Sequence, residues 1–195
     1  MIFPTIYLAS GSPRRHELLT QIGVDFSILS VDVDESHLED ETPINYVKRV
    51  AIAKAKAGWK SVANQEQRPV LGADTSVVLN DEIMGKPRGQ EDARTMLQRL
   101  SGVSHQVLTA VAIVSGQQTL CELNISTVTF AELSNADIDW YLATKEGVDK
   151  AGSYAIQGLA ALFIEQITGS YSGVMGLPLR ETGLLLNQIA GAGNE

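Results

Sequence analysis

Near the middle of the chain, the run Pro69 to Leu79 (PVLGADTSVVL) constrains the fold more than any other stretch. It is nearly all apolar and β-branched, with no polar residue at every second position. A strand with that pattern is buried on both faces, which places it in the middle of a sheet. Asp74 and Thr75 interrupt it. An unpaired buried carboxylate is expensive, so Asp74 must be paired, metal-bound or neutral. The bland alternative is an Asp at a strand end that caps the next turn. Gly72 permits close approach of another backbone.

A second stretch, Ile6 to Gly23, reads as a short buried strand, a loop of small residues (Ser10-Gly11-Ser12) and a helix opened by Pro13. Proline suits the first helical position, Ser12 is placed as an N-cap, and Gly23 supplies the stop. Arg14 and Arg15 stand in the first turn, where the helix dipole disfavours cations. Two arginines there make sense if an anion sits between them and the free backbone N–H groups. Otherwise they are a solvated surface pair.

The 195 residues suffice for one sizeable core, or for one domain with two lobes around a cleft. The net charge of −8 argues against a general nucleic-acid-binding surface but leaves room for a local basic pocket. Cys121 is alone, so no internal disulfide forms; it reads as a small core residue in a reducing, cytoplasmic setting. No apolar run reaches the length of a membrane span.

Along the chain, Val24–Val33 reads as a strand ending in an acidic run that includes Glu35. Thr42-Pro43 starts a helix with Ile44, Val47, Ala51 and Ala55 on its buried face. Lys48, Arg49, Lys54 and Lys56 form a solvated face from which a lysine could turn to a phosphate. After the central strand come a turn at Asn80-Asp81, Lys86 in an extended segment before Pro87, and a helix over Gln90–Leu100. A hairpin of two long strands follows, about Ser115-Gly116-Gln117. Ser134 and Asp137 form a capping box for a short helix. Lys150–Gly158 reads as a binding loop rather than core. Leu162–Ile167 reads as a strand, Gly169–Gly173 as a turn, and Pro178–Ile189 as the closing helix. His16, His37 and His105 lack metal-ligand spacing and read as surface or structural. This order fits an α/β fold with a mixed, twisted sheet. No GxGxxG, GxxxxGK[ST] or GxSxG motif is present. What remains is a distributed set of cations, Arg14, Arg15 and Lys86 with Lys54 or Lys56, and two carboxylates, Glu35 and Asp74. Cations for phosphate oxygens and carboxylates for magnesium suit phosphoryl chemistry.

Four segments, LASGSPRR (Leu8–Arg15), LGADT (Leu71–Thr75), KP (Lys86-Pro87) and KAGSYAIQG (Lys150–Gly158), closely resemble the Maf family, also called septum formation inhibitor Maf. Four motifs in order are specific where one would be weak, and the similarity extends over essentially the whole of residues 1–195. The resemblance implies an α/β fold with a deep nucleotide-binding cleft, like that of house-cleaning nucleoside triphosphate pyrophosphatases. It implies a single domain of two lobes that releases pyrophosphate from a nucleoside triphosphate, in the branch acting on dTTP and UTP. A divalent metal cation, Mg2+ or Mn2+, is implied, with Glu35 and Asp74 as ligands. Asp74 matches the proton acceptor; Arg14, Thr75 and Gln157 match the positions that set the base; Ser10, Arg15 and Lys86 match further cleft residues. Gln157 and Thr75 then make sense as readers of uracil or thymine. A homodimer is an assembly open to the family, although the sequence shows no clear interface stripe. The alternatives are a non-enzymatic nucleotide-binding regulator, or the same chemistry on methylated GTP or inosine-type triphosphates.

Overall fold

The computed structural model describes residues 3–192. In chain order the elements are β1 (Ile6–Leu8), α1 (Pro13–Gln21), β2 (Phe26–Ile28), α2 (Pro43–Ser61), β3 (Val70–Leu79), β4 (Glu82–Met84) and α3 (Gln90–Leu100). They continue with β5 (Ser104–Ser115), β6 (Gln118–Phe130), α4 (Asn135–Thr144), β7 (Ile164–Thr168), α5 (Tyr171–Met175) and α6 (Leu179–Ala192). One mixed sheet has the order β2-β1-β3-β5-β6-β7, with β4 added beside β3. The expectation of an α/β fold with a mixed sheet holds.

β3 is the central strand, and all its residues except Thr75 are buried. One of its edges pairs antiparallel with β5 from Val70 to Val78. The other edge is shared. β1 runs parallel to it at Val70 and Leu71, and β4 runs antiparallel to it at Val77–Leu79. Between these two partners the second edge of residues 72–76 is unpaired, so the sheet forks there. Side chains of successive residues point to opposite faces. Leu71 and Ala73 join the core with α1 and α6, on the face where Leu18, Leu19, Leu185 and Leu186 pack. Gly72 faces α2, whose Val47, Val50, Ala51 and Ala55 pack on Leu108, Ala110 and Ala112 of β5. A Cβ at Gly72 would lie 2.5 Å from the Ala55 nitrogen and 2.6 Å from the Ala51 oxygen. The absence of that Cβ lets α2 lie directly on β3.

Several boundaries differ from the sequence expectation. The strand expected over Val24–Val33 is only Phe26–Ile28, because its partner β1 is three residues long. Ile44 is exposed, not on the buried face; it sits in the first turn of α2, ahead of Tyr46 and Val47 where burial begins. Ser12 precedes α1 but its side chain makes no cap bond; its carbonyl accepts from the Arg15 and His16 amides. Leu162 is 74% exposed in a 3-10 turn over Leu159–Phe163, and β7 begins at Ile164, where a bulge at Thr129/Phe130 resumes the ladder. The turn expected at Gly169–Gly173 contains the start of α5, capped by Ser170 Oγ accepting from the Gly173 amide. Lys150–Gly158 is not apart from the core: Tyr154 and Ile156 pack with Phe130, Tyr141 and Phe163. The capping box at Ser134 and Asp137 is present as expected. Cys121 is half-buried beside the cluster under α2.

Candidate active site

The fork in the sheet opens into a cleft of about 790 Å3. Asp74 and Thr75 lie on its floor, and because they are consecutive in a strand they serve opposite faces of β3. Asp74 faces α2, and Thr75 faces α1 and α5.

Asp74 is only 7% exposed. Its Oδ1 accepts from Lys54 Nζ at 2.9 Å, and the same ammonium lies 2.9 Å from Glu35 Oε1. Lys54 thus bridges two carboxylates, one buried and one half-exposed. Burial raises the Asp74 pKa above the ordinary carboxylate value, against the pull of Lys54 and Arg15. Lys54 occupies this place because it lies on the apolar stripe of α2, among Val47, Val50, Ala51, Ala55 and Gly58. That spacing was legible in the sequence: Lys54 stands three or four residues from Val50 and Ala51, on the buried side, whereas Lys56 is exposed. Glu35 sits on an irregular segment with no ladder to hold it. Tyr46 Oη donates to the Glu35 carbonyl at 3.0 Å, and Arg49 donates to the Ser36 carbonyl at 2.8 Å while pairing with Glu41 at 2.6 Å. Burial, with Asp74 and Glu35 nearby, pushes the Tyr46 phenol up to about 12, so it remains a neutral donor.

The two arginines of α1 have different roles. Arg15 turns inward. Its Nε donates to the Gly176 carbonyl at 2.8 Å, one terminal nitrogen donates to Ser10 Oγ at 3.0 Å, and the other to Thr75 Oγ1 at 3.3 Å. Five N–H groups less three leave two to face the cleft, which Arg15 lines. Ser10 therefore holds Arg15 and is not itself on the cleft wall. Arg14 lines the cleft too, but its Nε is buried without a partner. Burial lowers its pKa, against the nearby Asp149 and Glu17. A buried guanidinium donor with no acceptor is costly unless a ligand supplies one.

The opposite wall carries Lys86 and Gln157, both exposed and both lining the cleft. Their backbone is positioned by structure behind them. The Gly152 amide donates to the Gly85 carbonyl at 3.1 Å, tying the Lys86 segment to the Lys150–Gly158 loop. Tyr154 Oη meets His105 Nε2 at 2.8 Å under that loop. Glu146 accepts from the Leu159 and Ala160 amides at 2.9 and 3.3 Å, fastening the chain just past Gln157. His105 is structural: it is 2% exposed, and burial lowers its pKa to about 4. Lys150, which opens the segment read from the sequence as a binding loop, also lines the cleft, beside Asp149.

The donor set suits a hard divalent cation. Among the described residues no group of three or more His, Cys, Asp or Glu converges. Two carboxylates do, and the site between them already accepts one positive charge, from Lys54. Magnesium is commonly held by one or two carboxylates, with substrate phosphates and water completing its shell. Among the described residues no helix is long and apolar enough to cross a membrane.

The chain is similar to known proteins over most of its length. The model of the family described as "Maf-like protein" matches residues 5–189. A dTTP/UTP pyrophosphatase of Alkalilimnicola ehrlichii is 54% identical over 188 residues, covering 95% of this chain and 93% of that protein. One of Pseudoalteromonas atlantica is 54% identical over 186 residues, covering 95% of this chain and 97% of that protein. A solved structure of the Staphylococcus aureus Ham1 protein covers 66% of this chain and 72% of that one, with a TM-score of 0.47 and 17% identity, too loose a likeness to carry weight.

Proposed function

This chain belongs to the family of Maf-like proteins, and on that premise we propose that it hydrolyses dTTP and UTP to the monophosphate and pyrophosphate. Relatives at 54% identity over nearly their whole length carry the name of that activity. The observation that carries the reading is a buried Asp74 on the open edge of β3, with Lys54 and Glu35 on one side and Arg15 on the other.

Asp74 takes a proton from the water that attacks the α–β phosphoanhydride. Burial raises its pKa, which brings it nearer the working pH and makes it a better general base. Lys54 keeps it in the carboxylate form. Arg15 and Arg14 bind phosphate oxygens, Arg15 from a fixed position and Arg14 with an Nε that lacks an acceptor until ligand arrives. Lys86 adds positive charge from the other wall. Glu35 and Asp74 are the residues that would hold Mg2+ or Mn2+, which when bound supplies Lewis acidity to the phosphate oxygens. Gln157, whose amide both donates and accepts, reads the base edge. One domain of two lobes carries all these groups, and a cytoplasmic setting suits its lone cysteine.

The test is pyrophosphate release from a panel of nucleoside triphosphates, with and without Mg2+ or Mn2+. Metal-dependent release from dTTP and UTP ahead of the purine nucleotides is expected. Release from methylated GTP or inosine-type triphosphates instead would keep the mechanism and overturn the assignment of the base. Binding without release would make the chain a nucleotide-binding regulator.

A further inference from the structure

Thr75 matches a position that sets the base, yet its hydroxyl is already engaged. Its partner across the β3–β5 ladder is Thr109. Thr109 is fully buried, and its Oγ1 lies 3.0 Å from Thr75 Oγ1 and 2.8 Å from the Gly173 carbonyl oxygen. A hydroxyl has one proton. A carbonyl only accepts, so at 2.8 Å it claims the Thr109 proton; without it two lone pairs would face each other. The proton between the two threonines then comes from Thr75. Thr75 keeps its lone pairs for the Arg15 guanidinium, 3.3 Å away.

The chain closes on itself. Arg15 donates to Thr75, Thr75 to Thr109, and Thr109 to the Gly173 carbonyl. The Gly176 amide donates to that same carbonyl at 3.0 Å, and the Gly176 carbonyl accepts from Arg15 Nε at 2.8 Å. Both arms run from the Arg15 guanidinium to the Gly173 carbonyl, and the Gly176 amide proton is shared with the Ser172 carbonyl at 3.1 Å. The ring joins α1, β3, β5 and α5 around a single guanidinium.

We propose that Thr75 and Thr109 are positioning residues that aim the Arg15 guanidinium at the phosphates of the substrate, and that Thr75 acts through Arg15 rather than by touching the base. The inference deepens the proposed pyrophosphatase reading, which it takes as its premise for the ligand. In this scheme Thr109, out of reach of any ligand, matters to phosphate affinity as much as Thr75 does. Base choice is left to the other wall, where Gln157 lies.

The variants are Thr109→Val and Thr75→Val, which keep the shape and lose the hydroxyl, with Thr109→Ser and Thr75→Ser as rescues. The first readout needs no ligand: the Arg15 Nε–H resonance in NMR, which the Gly176 bond protects from solvent exchange. Faster exchange is expected in both valine variants and near-normal exchange in both serine variants. Unchanged exchange in the valine variants overturns the ring, whatever the chain turns over. The second readout uses inorganic pyrophosphate as inhibitor and UTP as substrate. Both valine variants should weaken pyrophosphate inhibition and raise KM for UTP by similar factors, roughly tenfold for a misaimed cation, with the ranking of bases unchanged. If Thr75→Val instead alters the ranking of bases and leaves pyrophosphate inhibition intact, Thr75 reads the base and the proposal fails. If the wild type releases no pyrophosphate from any nucleotide, the pyrophosphatase reading fails, and the exchange measurement still decides the ring. Should Thr109→Val not fold, Thr75→Val, at a half-buried position, carries both readouts.

Discussion

The two walls of the cleft are positioned by different forces. The wall formed by Gly11–Arg15, Lys54 and Asp74 is held by charge: one ammonium bridges two carboxylates, and one guanidinium spans three acceptors, Ser10 behind the wall among them. The wall formed by Gly85–Lys86 and Lys150–Gln157 is held by packing and backbone bonds, from Tyr154, Ile156 and Phe163 below and the Gly152–Gly85 bond at its rim. In the proposed function the charged wall meets the phosphates, where oriented donors are worth most because they need no rearrangement when charge develops. The packed wall presents exposed side chains on a rigid backbone, which suits contacts that discriminate rather than catalyse. Charge-held positions should therefore govern turnover and pH dependence, and packing-held ones stability and selectivity.

The most direct way to break that contrast is Asp74→Asn. Turnover should fall about a thousandfold, within the range for loss of a general base, while thermal stability stays level or rises. The sign follows from the raised pKa: the ionised carboxylate costs folding free energy above that pKa, and asparagine does not. Normal pyrophosphate release by this variant would remove Asp74 from the chemistry.

The packed wall should show its own pH signature, in stability. The His105 pKa is lowered from 6.5 to about 4 by burial. The unfolded chain binds its proton first, so stability is full above pH 6.5 and falls as pH drops towards 4. The loss amounts to about 3 kcal/mol from this group. Urea unfolding of His105→Phe at pH 7, 5 and 4 should lack that slope; a slope equal to the wild type would assign it elsewhere.

Lys54→Met tests the bridge. It should lower kcat/KM about a hundredfold and move the acid limb of the pH–rate profile upward, because Lys54 is the largest influence holding the Asp74 pKa down. A limb that stays in place would mean that Lys54 does not set the ionisation of Asp74.

A smaller effect is expected of Gly152→Ala. The residue has φ +67°, and a Cβ would meet Val77 at 3.0 Å. A cost of about 1–2 kcal/mol is expected, read as a lower Tm, with KM rising several-fold and kcat little changed. A drop in kcat instead would show that the packed wall takes part in the chemistry. Gln157→Glu should change least in total rate; it shifts the ratio of UTP to GTP turnover, and an unchanged ratio would place base selection elsewhere.

Much of this was legible beforehand because it is local. The apolar run at Pro69–Leu79, Pro43 after Thr42, and Ser134 with Asp137 each specify a strand or a helix start from adjacent residues, and the structure places elements there. Where an element depends on a partner, the sequence misled: β2 stops at Ile28 because β1 is short, and Leu162 lies outside the strand because the ladder to β6 resumes at Ile164. Asp74 stood out as a carboxylate in a buried strand, and Arg15 as a cation at the wrong end of a helix. Lys54 was readable from the stripe Val47, Val50, Ala51, Ala55 but is masked by its charge among Lys48, Arg49 and Lys56.

By itself, then, the sequence determined the central strand, the helices and which residues are chemically out of place, since burial pattern, caps and isolated charges are properties of neighbours in the chain. Only the tertiary structure decided that β1 and β4 share one edge of β3, that the resulting gap is the cleft floor, and that Thr75 faces Arg15 while Asp74 faces Lys54. Those relations rest on hydrogen bonds between residues 20 to 161 positions apart, and no local preference encodes which distant groups a folded backbone brings within 3 Å.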